Sequence, residues 1–247
     1  MNSVAPHGLA LHEALALLGI GDLHPGGSAT TDFLLRELDR ASPRRVLEIG
    51  AGIGVTTQRL LERGWQVTAI EPNPVLRGVL EKRSAVRIHA GTFETFDDTE
   101  PYDAVIAESV LYRLNLEQAF GHAHRLLRPG GLLALVDMVW TEAARPEETA
   151  ALATRSESAF GIPLASVDRL TWAGWRHALA AAGFTEVAAQ PVGPSSERSL
   201  RRWGTILRNG VRHPPALARY LKYRSVARVP SAPAGWLESW RSVWKRL

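Results

Sequence analysis

The chain has 247 residues, of which 45% are hydrophobic and 22% are charged, a composition that is ordinary for one globular α/β unit. It contains no cysteine, which excludes disulfides, thiolate zinc sites, iron–sulfur clusters and a cysteine nucleophile. The net charge of +4 is uneven: residues 1–194 carry 17 Lys and Arg against 23 Asp and Glu, whereas residues 195–247 carry 12 against 2. The basic surplus therefore belongs to the C-terminal end.

Two helices are predicted before the first strand. Residues 9–20 are rich in Ala and Leu, and Gly19 ends that helix. A turn-forming loop over residues 23–28 separates it from a second helix over about 29–40. No basic stretch precedes an apolar core at the N-terminus, and no apolar run approaches the roughly 18 residues of a membrane span. We therefore expect a cytoplasmic protein without a secretory signal.

The middle of the chain alternates strands and helices. The predicted strands are continuous apolar runs, as expected when helices cover both faces of a parallel sheet. These strands cover residues 45–49, 66–70, 86–90, 102–107 and 132–137, and a sixth begins at 183–187. The intervening helices cover about 54–63, 74–81, 115–127 and 172–182. This order predicts a doubly wound α/β sheet.

The sequence pattern of the C-terminal region predicts helices only. Helical pieces cover about 197–210 and 215–224, and no β-rich run follows residue 191. Trp236, Trp240 and Trp244 recur at every fourth position among basic residues, a pattern typical of an amphipathic helix. Such a helix would either dock on its own domain and cover a sheet edge, or contact an anionic membrane, a protein or a nucleic acid.

A glycine turn follows the first strand. Gly50, Gly52 and Gly54 come directly after an apolar run, and Glu71 ends the next strand 21 positions after Gly50. Glycines let the backbone approach a ligand, and an acid at the end of the second strand can bind ribose hydroxyls. A dinucleotide fingerprint would place a third Gly or Ala at position 55, where this chain has Val55. The turn therefore indicates a nucleoside-bearing cofactor other than NAD.

The turn resembles motif I of the class I S-adenosylmethionine (SAM)-dependent methyltransferases, which is an acid followed by Gly-x-Gly-x-Gly. Glu48 matches the acid, and Gly50, Gly52 and Gly54 match the glycines. The Arg-Pro-Gly-Gly turn at 128–131 extends the resemblance, as does the Ala-Gly-Phe junction before the sixth strand, to about residue 190.

The resemblance implies a Rossmann-like, doubly wound and mostly parallel sheet with N-terminal lid helices and a helical basic C-terminal extension. It implies an enzyme similar to the small-molecule methyltransferases of types 11 and 12. We accordingly divide the chain into an N-terminal helical lid segment (1–42), a SAM-binding core (43–191) and a basic, Trp-rich extension (192–247).

The same resemblance implies the cofactor contacts. SAM is the expected cofactor, with its carboxylate on the backbone amides of the glycine turn and its amino group oriented by Glu48. Glu71 and the following Pro72 are expected at the ribose; otherwise Glu71 is a solvated charge at the end of a strand. Thr92 stands where the family usually has Asp, so adenine is expected to contact Thr92 and Phe93. The alternative for Phe93 is an ordinary core position.

Candidate catalytic residues lie after the fourth strand and in the N-terminal loop. Glu108 and Tyr112 are expected near the transferable methyl group, with Glu108 also touching the cofactor, because strand ends line the crevice of such sheets. His24 is the preferred general base because a lid loop can close over the substrate. Otherwise it is a turn histidine. Weaker candidates for the base are His122, His124 and Asp137. No spacing typical of a metal site is present, and we expect no metal.

These features predict transfer of a methyl group from SAM to a nucleophile on a small molecule, plausibly in specialised metabolism. The first alternative is a SAM-using enzyme with non-methylating chemistry that releases methylthioadenosine. The second is an RNA-directed methyltransferase or a SAM-binding partner protein. The acidic core favours a small-molecule acceptor over nucleic acid, and the terminal amphipathic helix is the place expected for a peripheral membrane or protein contact.

Overall fold

The computed structural model describes residues 9–40, 44–144, 171–193, 200–226 and 237–247. Within these ranges, seven strands form one sheet in the order β3-β2-β1-β4-β5-β7-β6. The strands are β1 (Arg45–Ile49), β2 (Gln66–Ile70), β3 (Arg87–His89), β4 (Tyr102–Glu108), β5 (Leu127–Trp140), β6 (Phe184–Pro191) and β7 (Leu237–Arg246). The helices are α1 (Leu11–Leu17), α2 (Gly27–Leu38), α3 (Val55–Glu62), α4 (Pro74–Arg83), α5 (Leu116–Leu126), α6 (Trp172–Ala181), α7 (Leu200–Arg212) and α8 (Pro214–Val226).

The first five strands are parallel, and the chain order reverses between β1 and β4. β1 pairs with β2 on one side and with β4 on the other, so the connections leave the sheet in opposite directions from this point. Alternate residues of both strands face two separate apolar cores; Leu47 and Val105 belong to one, and Val46 and Ile106 to the other. The predicted doubly wound fold is confirmed, and its binding crevice is expected where the carboxyl ends of β1 and β4 diverge.

The predicted terminal helix is wrong. Residues Leu237–Arg246 form β7, which lies between β5 and β6 and pairs antiparallel with both. The seventh strand that the sequence did not indicate is therefore present. It joins β6 to the rest of the sheet and covers the edge of β5 as a strand instead of as a docked helix. Trp236 lies outside the described residues.

The tryptophans of β7 explain its packing. Trp240 and Trp244 are an even number of positions apart and so share one face of the strand. The Trp172 ring of α6 stacks on Trp240, with centroids 4.5 Å apart and planes 5° apart, and it also contacts Trp244. Val243 points to the opposite core. Aromatic and β-branched side chains that fill both faces of a sheet favour a strand here.

Helices α1, α7 and α8 together form a helical cap. Ala14, Leu18, Ile206 and Ala216 are buried in its common core. The Asn209 side-chain amide of α7 donates to the Leu18 carbonyl at 3.1 Å. Helices α7 and α8 confirm the helical predictions over about 197–210 and 215–224 for residues 200–210 and 215–224, and residues 197–199 lie outside the described part of the chain. Among the described residues, no helix is long and apolar enough to cross a membrane.

Candidate active site

The glycine turn connects β1 to α3 in a conformation that other residues rarely adopt. Gly50, Gly52 and Gly54 have φ values of 71°, 58° and 81°. The amides of Gly50 and Ala51 donate to the Ile70 carbonyl, at 2.9 and 3.0 Å, which fixes the turn against the end of β2. A Cβ at Gly50 would overlap Val110 Cγ2, whereas one at Gly52 would meet no atom of the described residues within 4 Å. The backbone at Gly52 is therefore open to a ligand.

Glu71 spans the space between the glycine turn and the loop before α4. The Gly52 amide donates to its Oε2 and the Asn73 amide to its Oε1, both at 2.8 Å. Burial raises the pKa of this carboxyl, while the two amide hydrogen bonds act in the opposite direction. Each carboxylate oxygen keeps lone-pair capacity for a hydroxyl donor. Glu71 thus lies beside the open part of the turn, as the ribose prediction requires.

Glu48 lies beneath the same turn and is only 5% exposed. The Thr57 hydroxyl donates to its Oε2 at 2.6 Å. Burial and, to a smaller extent, the neighbouring charges of Glu108 and Glu71 together raise the pKa of Glu48 to about 8, although the hydrogen bond from Thr57 acts in the opposite direction. A cation bound near Glu48 would lower the pKa of this carboxyl and favour the carboxylate.

Glu108 ends β4 and connects the core to the N-terminal segment. The Thr31 hydroxyl of α2 donates to its Oε1 at 2.7 Å, and the Thr56 hydroxyl of α3 donates to its Oε2. His24 Nε2 lies 3.5 Å from Glu108 Oε1, and the two side chains are only 7% and 11% exposed. The structure therefore brings together two of the predicted catalytic residues, His24 and Glu108.

The surroundings of His24 indicate which ring nitrogen carries hydrogen. Because the Thr31 hydroxyl donates to Glu108, it accepts from His24 Nε2, which is 3.1 Å away. The other nitrogen, Nδ1, lies 3.3 Å from the Pro25 carbonyl. Both ring nitrogens therefore lie within reach of a hydrogen-bond acceptor.

Asp137 accepts hydrogen bonds from the loop after β4, and Tyr112 belongs to that loop. Asp137 Oδ2 accepts from the Leu111 amide at 2.9 Å and from the Tyr112 amide at 3.3 Å, so it holds the short 3₁₀ turn Leu111–Arg113. Burial raises the pKa of Asp137 to about 7. Burial also raises the pKa of the Tyr112 hydroxyl, which disfavours its anion. The environment of Asp137 is that of a buried support for the loop after β4.

The remaining predicted residues lie in different environments. Pro72 is exposed, and its carbonyl accepts from Arg77. Thr92 is exposed at the start of the 3₁₀ turn Phe93–Thr95. Phe93 is buried in the core, with its ring centroid 4.6 Å from that of His122. His124 packs instead against Phe184, so the two histidines of α5 occupy different environments, as their spacing predicts.

Several contact residues were not predicted from the sequence. Thr56 and Thr57 lie in the first turn of α3 and donate to Glu108 and Glu48, and their position two and three residues after the third glycine was the available signal. Thr31 joins His24 to Glu108 from a separate helix. Ser109 has a φ of 56°, rare for a residue with a side chain, and its buried hydroxyl has no hydrogen-bond partner among the described residues. This strained residue directly follows Glu108.

The charges around the turn fit SAM. Three carboxylates, those of Glu48, Glu71 and Glu108, are close enough for the charges of the latter two to raise the pKa of the first. SAM carries positive charge on its sulfonium and its amino group, and its ribose offers two hydroxyls. An acidic crevice with an open glycine backbone is suited to such a ligand.

Comparison with known sequences identifies the family. The profile of a methyltransferase domain family matches residues 27–203, more than half of the chain. An uncharacterized methyltransferase of Mycobacterium tuberculosis (strain ATCC 25618 / H37Rv) is 41% identical over 101 residues, 39% of this chain and 40% of that protein. Another, of Bacillus subtilis (strain 168), is 26% identical over 142 residues, 55% of this chain and 61% of that protein. The alignments therefore span less than two thirds of these relatives.

Solved structures share the fold at low sequence identity. The cyclopropane synthase MmaA2 from Mycobacterium tuberculosis superposes with a TM-score of 0.67 at 17% identity, covering 99% of this chain and all of that one. The geranyl diphosphate C-methyltransferase from Streptomyces coelicolor A3(2), solved with Mg²⁺, geranyl-S-thiolodiphosphate and S-adenosyl-L-homocysteine, gives 0.62 at 16% identity over 90% of this chain and 76% of that one. Taken with the profile match, the glycine turn and its acids establish that this chain belongs to the class I SAM-dependent methyltransferases and that its cofactor is SAM.

Proposed function

We propose that this enzyme transfers the methyl group of SAM to a nucleophilic atom of a small molecule in specialised metabolism. The observation that carries the proposal is the enclosure of the His24–Glu108 pair, whose side chains are only 7% and 11% exposed. An enclosed base suits an acceptor that enters the crevice more than one that remains part of a macromolecule. One structural neighbour was solved with a small molecule of this kind, geranyl-S-thiolodiphosphate.

His24 is the proposed general base. With Nε2–H directed at Thr31 and Glu108, Nδ1 is the nitrogen that takes a proton from the acceptor. The Glu108 carboxylate, 3.5 Å from Nε2, then stabilises the imidazolium. In this assignment Glu108 orients His24 and Thr31 fixes the orientation of both.

The chemistry that bound SAM supplies is an electrophilic methyl group on a positively charged sulfur. The chain contributes positioning, since Glu48, Glu71 and the glycine turn are proposed to hold the two ends of the cofactor. Correct alignment of reacting groups is worth on the order of 7–11 kcal/mol in well-oriented systems. The His24–Glu108 pair is largely shielded from water, since its side chains are only 7% and 11% exposed.

A methyl-labelling experiment tests this function. The enzyme is incubated with methyl-labelled SAM and a cell extract that has been separated into small-molecule, RNA and protein fractions. We expect enzyme-dependent label in the small-molecule fraction only. Label that appears in RNA or protein, with none in the small molecules, would contradict the proposal.

Replacing Glu71 tests the ribose contact. We expect Glu71→Ala to raise the Kd of S-adenosylhomocysteine about 10- to 100-fold, because hydrogen bonds to one charged group contribute about 1.5–3 kcal/mol. Isothermal titration calorimetry measures the change. Glu81→Ala, which removes an exposed carboxylate of α4, is the matched control and should leave Kd unchanged.

Glu71 also holds two backbone amides, so a second ligand separates the two roles. Against 2′-deoxy S-adenosylhomocysteine, which lacks one ribose hydroxyl, Glu71→Ala should cost much less affinity than against the complete ligand. An equal loss with both ligands would mean that Glu71 supports the loop without binding the ribose.

Proton release on binding tests Glu48. Its pKa of about 8 leaves it mostly protonated at pH 7, and a bound ammonium favours the carboxylate. SAM binding should therefore release a proton, and SAM affinity should rise as the pH is raised towards 8. Calorimetry in buffers of different ionisation enthalpy measures the released proton, and Glu48→Gln should abolish the release.

The same carboxyl makes the free enzyme less stable at alkaline pH. A folded-state pKa above the usual 4.5 contributes stability that is complete below pH 4.5 and is lost as the pH rises through about 8. Asp137, whose pKa is about 7, also makes the stability fall as the pH rises, but it is present in both the wild type and Glu48→Gln. The difference between wild type and Glu48→Gln therefore reports Glu48; identical pH profiles of Tm would contradict the assignment.

A further inference from the structure

The sequence of α7 and α8 in the helical cap is rich in basic residues that the methyltransferase site does not use. Residues 200–226 contain seven Lys and Arg and no Asp or Glu. The core of the chain is acidic by comparison, so the positive charge is concentrated on α7 and α8. Such a concentration attracts polyanionic surfaces.

One side of these helices is already occupied. Ile206 and Ala216 are buried against α1, and Gly210 faces Leu217 of α8 closely enough that a Cβ there would lie 2.8 Å from it. Asn209 bonds to the Leu18 carbonyl. These contacts fix the orientation of α7 and determine which of its residues face outwards.

The outward side combines aliphatic and cationic side chains. Leu207 and Val211 lie one helical turn apart and are 58% and 82% exposed. Arg208 and Arg212, which follow each of them directly, are also exposed. On α8, Leu221 is 50% exposed. We name these five residues the outer cap face.

We propose that the outer cap face docks the enzyme on an anionic lipid surface. The arginines complement lipid headgroups, and exposed aliphatic side chains between them can enter the boundary with the acyl chains. A nucleic acid would match the charge, but Leu207 and Val211 offer it neither hydrogen bonds nor a stacking ring. This inference is independent of the proposed acceptor, and it assigns a membrane contact to α7 and α8 instead of to the wrongly predicted terminal helix.

Vesicle sedimentation of the full chain tests the proposal. We expect binding to vesicles of phosphatidylcholine and phosphatidylglycerol in equal parts, and little binding to phosphatidylcholine alone. Replacing Leu207 and Val211 together with Gln, or Arg208 and Arg212 together with Gln, should each weaken binding more than about tenfold.

Control variants remove side chains of the same kinds from other parts of the protein surface. Lys82→Gln with Arg125→Gln removes two exposed positive charges, and Val187→Gln removes an aliphatic side chain that is 48% exposed. These controls should bind vesicles as wild type does, and every variant should keep the wild-type Tm. Failure of wild type to bind anionic vesicles, equal binding by all variants, or binding to RNA without binding to vesicles would overturn the proposal.

Discussion

Gly52→Ala is expected to reduce SAM binding severely while the enzyme stays folded. The backbone at Gly52 has a φ of 58° and open space where a Cβ would lie, and its amide bonds to the proposed ribose carboxylate, Glu71. A methyl group there would occupy the space that the ligand needs. We expect the Kd of SAM to rise by about tenfold or more, which corresponds to at least about 1.4 kcal/mol.

Gly64 provides a matched control for backbone strain. It has a φ of 79°, and a Cβ there would also meet no atom within 4 Å, but it lies in the turn after α3. Left-handed backbone costs an alanine about 1–2 kcal/mol, so both variants should lower Tm similarly. Only Gly52→Ala should lose SAM affinity, as measured by calorimetry. Equal SAM affinity in the two variants would show that the space beside Gly52 is not part of the cofactor site.

His24→Gln is expected to lower kcat about 10²- to 10⁴-fold on an acceptor found by methyl labelling, because this is the range that a general base contributes. The Kd of SAM should stay near the wild-type value, since His24 is assigned to the acceptor. Glu108→Gln should also lower kcat, because a neutral amide does not stabilise the imidazolium. Initial rates of S-adenosylhomocysteine formation measure both effects.

His177→Gln is the control for this pair of variants. His177 is an exposed residue of α6, and its replacement should leave kcat unchanged. If His24→Gln retained wild-type kcat, or if it lost SAM affinity without losing kcat, His24 would not be the base. Methyl transfer would then use a different base or depend on positioning alone.

The cofactor half of the site could be predicted from the sequence because it is local. The glycines of the turn are required by positive φ values, and Glu48 and Glu71 are placed by strands whose apolar runs are easily recognised. The contact of Thr31 with Glu108 spans 77 positions and depends on how α2 packs on the sheet. Sequence spacing identified His24 and Glu108 separately as candidates, but it contained no information that they meet.

The wrong prediction for β7 has a simple physical origin. A spacing of four residues is close to one turn of a helix, but it is also an even number and so satisfies the period of a strand. Trp240 and Trp244 therefore fit both patterns. The stacking of Trp172 on Trp240, which decides in favour of the strand, involves a partner 68 positions away in the chain. The role of Asp137 in β5 could not be predicted for the same reason, because the backbone amides that donate to it, those of Leu111 and Tyr112, belong to the loop after β4.

Analysis of the products formed from SAM tests the central claim most directly. The enzyme is incubated with SAM and its acceptor, and the sulfur-containing and methylated products are quantified together by mass spectrometry. Methyl transfer predicts one S-adenosylhomocysteine for each methylated small molecule. Methylthioadenosine in place of S-adenosylhomocysteine, with no methylated product, would contradict the account and would indicate cleavage at a different carbon–sulfur bond.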